Sequence, residues 1–220
     1  LNTIVAESID ELSDSLEQKL GGSTDLPGAV GEVVKEAYSA NKAVCFSGDN
    51  YAEEWHAEAQ QRGLKNLRTS PDALPEVVAP DTVATFGKYE VLSERELESR
   101  YEVWLEQYSM TANIEAETTA TIARTQLLPA ALRQLELEDR SGVEATKTRP
   151  LTEEFIRAID ALDEANVYPD DIEGLDLAVY ARDTQLARMD SVREVADQLE
   201  GIVADDLWPL PKYSEMLFIK

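Results

Sequence analysis

The sequence predicts a mainly α protein: a helical bundle with two long antiparallel helices, about 94–128 and 175–203, and at most one short strand near 43–46. Three observations carry this. First, Ser93-Glu94-Arg95-Glu96 has the form of a capping box, in which Ser93 takes the Glu96 amide and the Glu96 carboxylate reaches back. From there the chain runs without glycine or proline to Leu128, and Leu97, Tyr101, Leu105, Tyr108 and Ala112 recur at steps of three or four. Such a rod is roughly 50 Å long and cannot hide its own apolar face. Second, Leu175, Val179, Arg182, Leu186, Met189, Val192, Ala196, Leu199 and Val203 form a bundle seam. At roughly 40 Å it is the natural cover for the first rod. Third, 43% hydrophobic residues in 220 suit a folded chain with a core.

The other elements follow in chain order. Leu1, Ile4, Val5, Ile9, Leu12, Leu16 and Leu20 form a helical stripe closed by Gly21-Gly22. It begins at full pattern without a cap, as in a chain cut from something longer. Residues 23–28 read as a loop, and Val30, Val33, Val34, Ala37 and Tyr38 as a second helix. A third helix from about Ala52 carries Trp55, Ala59 and Arg62 and stops at Gly63. Ser70-Pro71-Asp72 reads as a cap with proline at the first helical position, and 81–89 as a short helix. Pro129 lacks an amide and strikes the carbonyl of Thr125, which predicts a kink or break. Residues 138–149 read as an exposed loop, and Thr152 as the cap of a helix bearing Phe155, Ile156, Ile159 and Leu162. The segment 129–166 then joins the far ends of the two rods. The tail Asp206-Leu207-Trp208-Pro209-Leu210-Pro211 cannot be helical, and its apolar end, Met216 to Ile219, must dock. Three segments result: 1–92, short helices and loops; 93–204, the long-helix bundle; and 205–220, an extended docking tail.

Charge and composition narrow the function. A net charge of −24 repels phosphate backbones and anionic lipid, which argues against nucleic-acid and membrane partners. No run approaches a membrane-spanning helix, and a single cysteine allows no internal disulfide. Eight lysines stand against twelve arginines. An acidic, lysine-poor surface suits high salt, where self-repulsion is screened, and predicts a melting temperature that rises with KCl.

Each pattern that could hold chemistry falls short. Glu53 and His56 have the spacing of a di-iron ligand pair, but His56 is the only histidine. It reads as a solvated surface side chain. Cys45 lies between Val44 and Phe46, with no adjacent base, and reads as a small buried hydrophobe. Asp170, Asp171 and Glu173 miss the spacing of a calcium loop and read as caps for the next helix. Trp104 and Tyr108 are helix neighbours suited to packing. No catalytic, cofactor-binding or metal-ligating residue is assigned to the chain.

Three stretches resemble one family. Leu1-Asn2-Thr3-Ile4-Val5-Ala6-Glu7-Ser8 resembles the helix that follows the catalytic core in type III glutamine synthetases. Ser93-Glu94-Arg95-Glu96-Leu97-Glu98-Ser99-Arg100-Tyr101-Glu102, with Asn113-Ile114-Glu115-Ala116-Glu117-Thr118, is similar to that family's long C-terminal helix. Asp206 to Phe218 is similar to its closing segment, where a glycine commonly stands at the position of Ser214. The resemblance runs the whole chain in order, with no match over 138–150. It implies a parent enzyme that makes glutamine from glutamate, ammonium and ATP with magnesium, through a γ-glutamyl phosphate. The family's catalytic groups lie upstream of the segment resembling Leu1–Ser8, so none carries over. What is implied here is an inactive, non-catalytic C-terminal region in a cytoplasmic homo-oligomer. Its partners are the upstream catalytic core and neighbouring subunits. The alternative is a free-standing acidic helical scaffold, which a native mass near 24 kDa would favour. A third reading, a regulatory module with an effector between helices, has no specific support in the residues.

Overall fold

The computed structural model describes residues 1–142, 144–211 and 213–217. Three-quarters of it is helical, and no strand occurs among the described residues. The chain forms two compact units, Leu1–Tyr101 and Glu102–Lys220.

In the first unit, α1 (Asn2–Leu20) starts without a side-chain cap and ends at Gly21, whose φ of 47° suits glycine. Helix α2 (Leu26–Ala40) starts inside the expected loop. The Asp25 carboxylate accepts the Gly28 amide at 3.1 Å, and Pro27 sits in the first turn, where its missing amide costs nothing. The two helices pack as a hairpin, and Lys19 donates to Glu36 at 2.7 Å. Residues Lys42–Val44 form a 3₁₀ turn rather than a strand. Helix α3 (Glu53–Gln61) follows. Helix α4 (Ser70–Ala73) is capped by Thr69, one residue before the expected Ser70, because the Thr69 hydroxyl takes the Asp72 amide. A 3₁₀ turn, Leu74–Val78, leads into α5 (Pro80–Lys88), which packs on α1.

Helix α6 (Glu94–Ile122) opens on the predicted capping box. The Ser93 amide donates to the Glu96 carboxylate at 2.8 Å, and the Glu96 amide donates to Ser93 Oγ at 3.4 Å. The rod does not end at Pro129. It runs through a π-turn, Ala123–Leu127, into α7 (Leu128–Ser141), giving 48 helical residues, about 70 Å. The π-turn ends two residues before the proline, and the wider turn eases the clash between the Pro129 ring and the Thr125 carbonyl. Gly142, at φ 73°, then ends α7, so helix takes up the first part of the loop expected over 138–149. Helix α8 (Thr148–Ala165) begins four residues before Thr152. That residue is buried within the helix, and its hydroxyl donates to the Thr148 carbonyl at 2.7 Å.

The last long helix consists of α9 (Gly174–Tyr180), a second π-turn (Ala181–Leu186) and α10 (Ala187–Glu200). Its direction differs from expectation. Gln185 donates to Asn113 at 3.1 Å, while the Ala204 amide donates to Gln134 at 3.1 Å, so both rods advance together and are parallel, not antiparallel. The antiparallel partner of both is α8: Thr148 donates to Glu138, Arg124 to Asp160, and Gln185 to Asn166. The reason is simple counting. Segment 129–166 is a full return pass, and a chain that reverses twice runs its first and third helices the same way.

The core lies where these three meet. Ala116, Ala120, Ala123, Ala130 and Ala131 line the rod and let neighbouring helices approach closely. Phe155, Ile159 and Leu162 of α8 are fully buried against them, with Val192, Ala196 and Leu199 of α10. The tail docks as far as Leu210, with Trp208 joining the core. Beyond it, Met216 and Leu217 in α11 (Tyr213–Leu217) are exposed, and Phe218 and Ile219 lie outside the described residues.

Candidate functional site

The patterns singled out in the sequence do not converge. Glu53 pairs with Arg68 at 3.1 Å, and the imidazole of His56 is half-buried rather than solvated. Cys45 is exposed, not buried, because the chain is extended there and Arg62 takes its carbonyl at 2.9 Å. Asp170, Asp171 and Glu173 are exposed, and Glu173, which precedes α9, makes no capping bond. Trp104 is exposed on α6. Among the described residues no group of three or more His, Cys, Asp or Glu could hold a metal ion.

Polar side chains meet instead at three structural junctions. In the first unit, Arg62 closes the stretch after α2. It donates to the Ala43 and Cys45 carbonyls, pairs with Glu58, and lies 5.3 Å from the centre of Trp55, which stacks on Phe46 at 4.3 Å. At the α1–α5 contact, Lys88 bridges Asp10 at 2.8 Å and Glu7 at 3.0 Å, and the Tyr89 hydroxyl donates to Asp10 at 2.8 Å. Hydrogen bonding from Tyr89 and Lys88 holds the Glu7 carboxyl below its ordinary value, and Lys88 does the same for Asp10. Hydrogen bonds to Asp10, Tyr89 and Glu7 raise Lys88, while partial burial and the carboxylates push Tyr89 up to about 12.

The third junction is a buried amide network in the second unit, at the π-turn of the last helix. Gln185 is fully buried, donates to Asn113 and Asn166, and accepts from the Tyr168 hydroxyl at 3.0 Å. Tyr168 also reaches the Ser109 carbonyl, and its burial raises its phenol. This arrangement can pin three helices in one register, but it holds no nucleophile beside a base. Only the inward position of Gln185, one turn after Ala181, could have signalled it in the sequence.

Apolar grooves remain open in each unit. One, of about 480 Å³, lies along the α1–α2 hairpin between Ile9, Leu12, Leu16, Val30, Val34 and Tyr38. The other, of about 410 Å³, lies in the second unit between the rod and α10.

Comparison with known proteins points to one family. Residues 29–141 match the model of the glutamine synthetase C-terminal domain. The chain is 30% identical along its whole length to the type-3 glutamine synthetase of Dictyostelium discoideum. Over 88% of its length it is 33% identical to a glutamine synthetase of Butyrivibrio fibrisolvens, and along its whole length 27% identical to one of Bacteroides fragilis. It spans about a third of the length of these relatives. Described residues include no helix long and apolar enough to cross a membrane. The chain belongs to the glutamine synthetase C-terminal domain family.

Proposed function

We propose that this chain is the non-catalytic C-terminal helical region of a glutamine synthetase, and that it supports the catalytic portion and the assembly of subunits. The observation that carries this reading is the α1–α2 hairpin, which leaves Ile9 and Val34 59% and 60% exposed along one groove. A soluble chain holds such a face open only where another surface belongs. Membership of a family whose relatives are about three times longer supports the same reading.

In this reading the whole enzyme joins ammonium to glutamate with ATP and magnesium, bound by residues outside this chain. No residue here has a catalytic, cofactor or metal role. The partners are the catalytic core and neighbouring subunits of a cytoplasmic homo-oligomer, and the hairpin groove is the seat of the core. The test is to incubate the purified chain with glutamate, ammonium, ATP and magnesium. No glutamine should form, and turnover would overturn the assignment. Added to a separately prepared catalytic portion, the chain should co-migrate with it, and Leu12→Ser with Val34→Ser should abolish that association.

A further inference from the structure

We propose that the groove between the rod and α10 is a docking site for a basic amphipathic helix of a partner protein. The proposal rests on the second unit alone and is independent of the reading above.

The floor is apolar, formed by Ile122, Leu127, Met189, Val192 and Leu210. One wall is the π-turn Ala123–Leu127, a local widening of the helix that recurs where helices bind something. Along α10 the lining runs from Met189 to Glu200, about 16 Å or three helical turns. That length accepts a guest helix presenting apolar side chains at i, i+3 or i+4, and i+7.

The rim sets the sign of the guest's flanks. Asp190, Arg193, Asp197 and Glu200 follow one another along the exposed edge of α10. Arg193 lies 3.6 Å from Asp197 and offsets it. Asp190 and Glu200 have no ion-pair partner among the described residues, so two carboxylates flank the apolar floor uncompensated. At the end of the groove Trp208 is only 8% exposed, and its indole N–H has no acceptor. A guest supplies what floor and rim lack: apolar side chains for the one, lysine or arginine for the other.

A small ammonium ion meets the rim but leaves the floor wet.

The test uses the intact chain and a fluorescent helical peptide of about 15 residues, with leucines on one face and lysines flanking them. An otherwise identical peptide carries glutamates in place of the lysines. The lysine peptide should bind saturably, one per chain, and slow amide exchange in 119–127 and 189–200; the glutamate peptide should not bind. Asp190→Lys with Glu200→Lys, both at exposed positions, should weaken binding at least about tenfold. Glu153→Lys with Glu154→Lys, the same charge change on the exposed face of α8, should leave affinity unchanged. Equal weakening by both pairs would reduce the effect to net charge and overturn the proposal. Protection of the α1–α2 hairpin instead, or no saturable binding, would overturn it as well.

Discussion

The α1–α2 hairpin and the α7–α8–α10 bundle are written with the same apolar spacing, yet they end in opposite states. In the bundle Phe155, Ile159 and Leu162 are sealed. In the hairpin the corresponding stripe faces a groove. The difference lies in where the third helix sits: α5 packs on α1 but lines no part of the groove, whereas in the bundle the third helix closes the flank that two leave bare. An apolar stripe therefore specifies that a surface will be covered, but not by what.

This contrast can be broken by substitution. The largest effect should come from Phe155→Ala, which opens a cavity in the sealed core and should cost about 3–5 kcal/mol by chemical denaturation of the second unit. Truncation before Trp208 should come close to it, because Trp208 packs in the same cluster. An unchanged melting temperature would mean that the tail contributes nothing to the bundle. Next is Gln185→Leu, which strands Asn113, Asn166 and the Tyr168 hydroxyl and should cost about 1–3 kcal/mol.

The hairpin should respond differently. Leu12→Ser and Val34→Ser, both at exposed positions, should each change stability by less than about 0.5 kcal/mol. They should also reduce binding of an apolar dye. A loss as large as that of Phe155→Ala would show that the groove is closed in solution.

The smallest effect is one of pH at the α1–α5 contact. Glu7 and Asp10 are held below their ordinary values of 4.5 and 3.8. Their contribution is therefore complete above those values and is lost as pH falls through the lower folded ones. Lys88, raised above its ordinary 10.5, keeps its contribution at all pH below that value. Protection of the α1 amides, relative to their intrinsic exchange at the same pH, should fall below about pH 4 in the wild type, and that acid dependence should shrink in Lys88→Met.

Much of the fold was legible because its signals are local. The capping box at Ser93 and the stripes of α1 and α8 involve residues within four positions of one another. The parallel direction of the rods was not, because it depends on recognising 129–166 as a full helical pass. Reading 138–149 as a loop, after a kink or break at Pro129, hid that pass. Proline's cost was judged against an unaltered α-helix, whereas the chain inserts a π-turn before it. The open groove beside α10 was half legible. Met189, Val192 and Ala196 announced an apolar face, but only the packed structure shows which part of it stays uncovered.

The paired π-turns carry a consequence of their own. Each adds one residue to a helix that would close without it, and one residue is worth about 100° of rotation. Between the Asn113–Gln185 and Gln134–Ala204 bonds the rod advances 21 residues and the last helix with its closing turn 19, and the first π-turn falls inside that interval. The rod thus spends an extra residue where its partner spends none. Deleting one residue from Ala123–Leu127 should turn the downstream half of the rod, and Gln134 with it, away from Ala204.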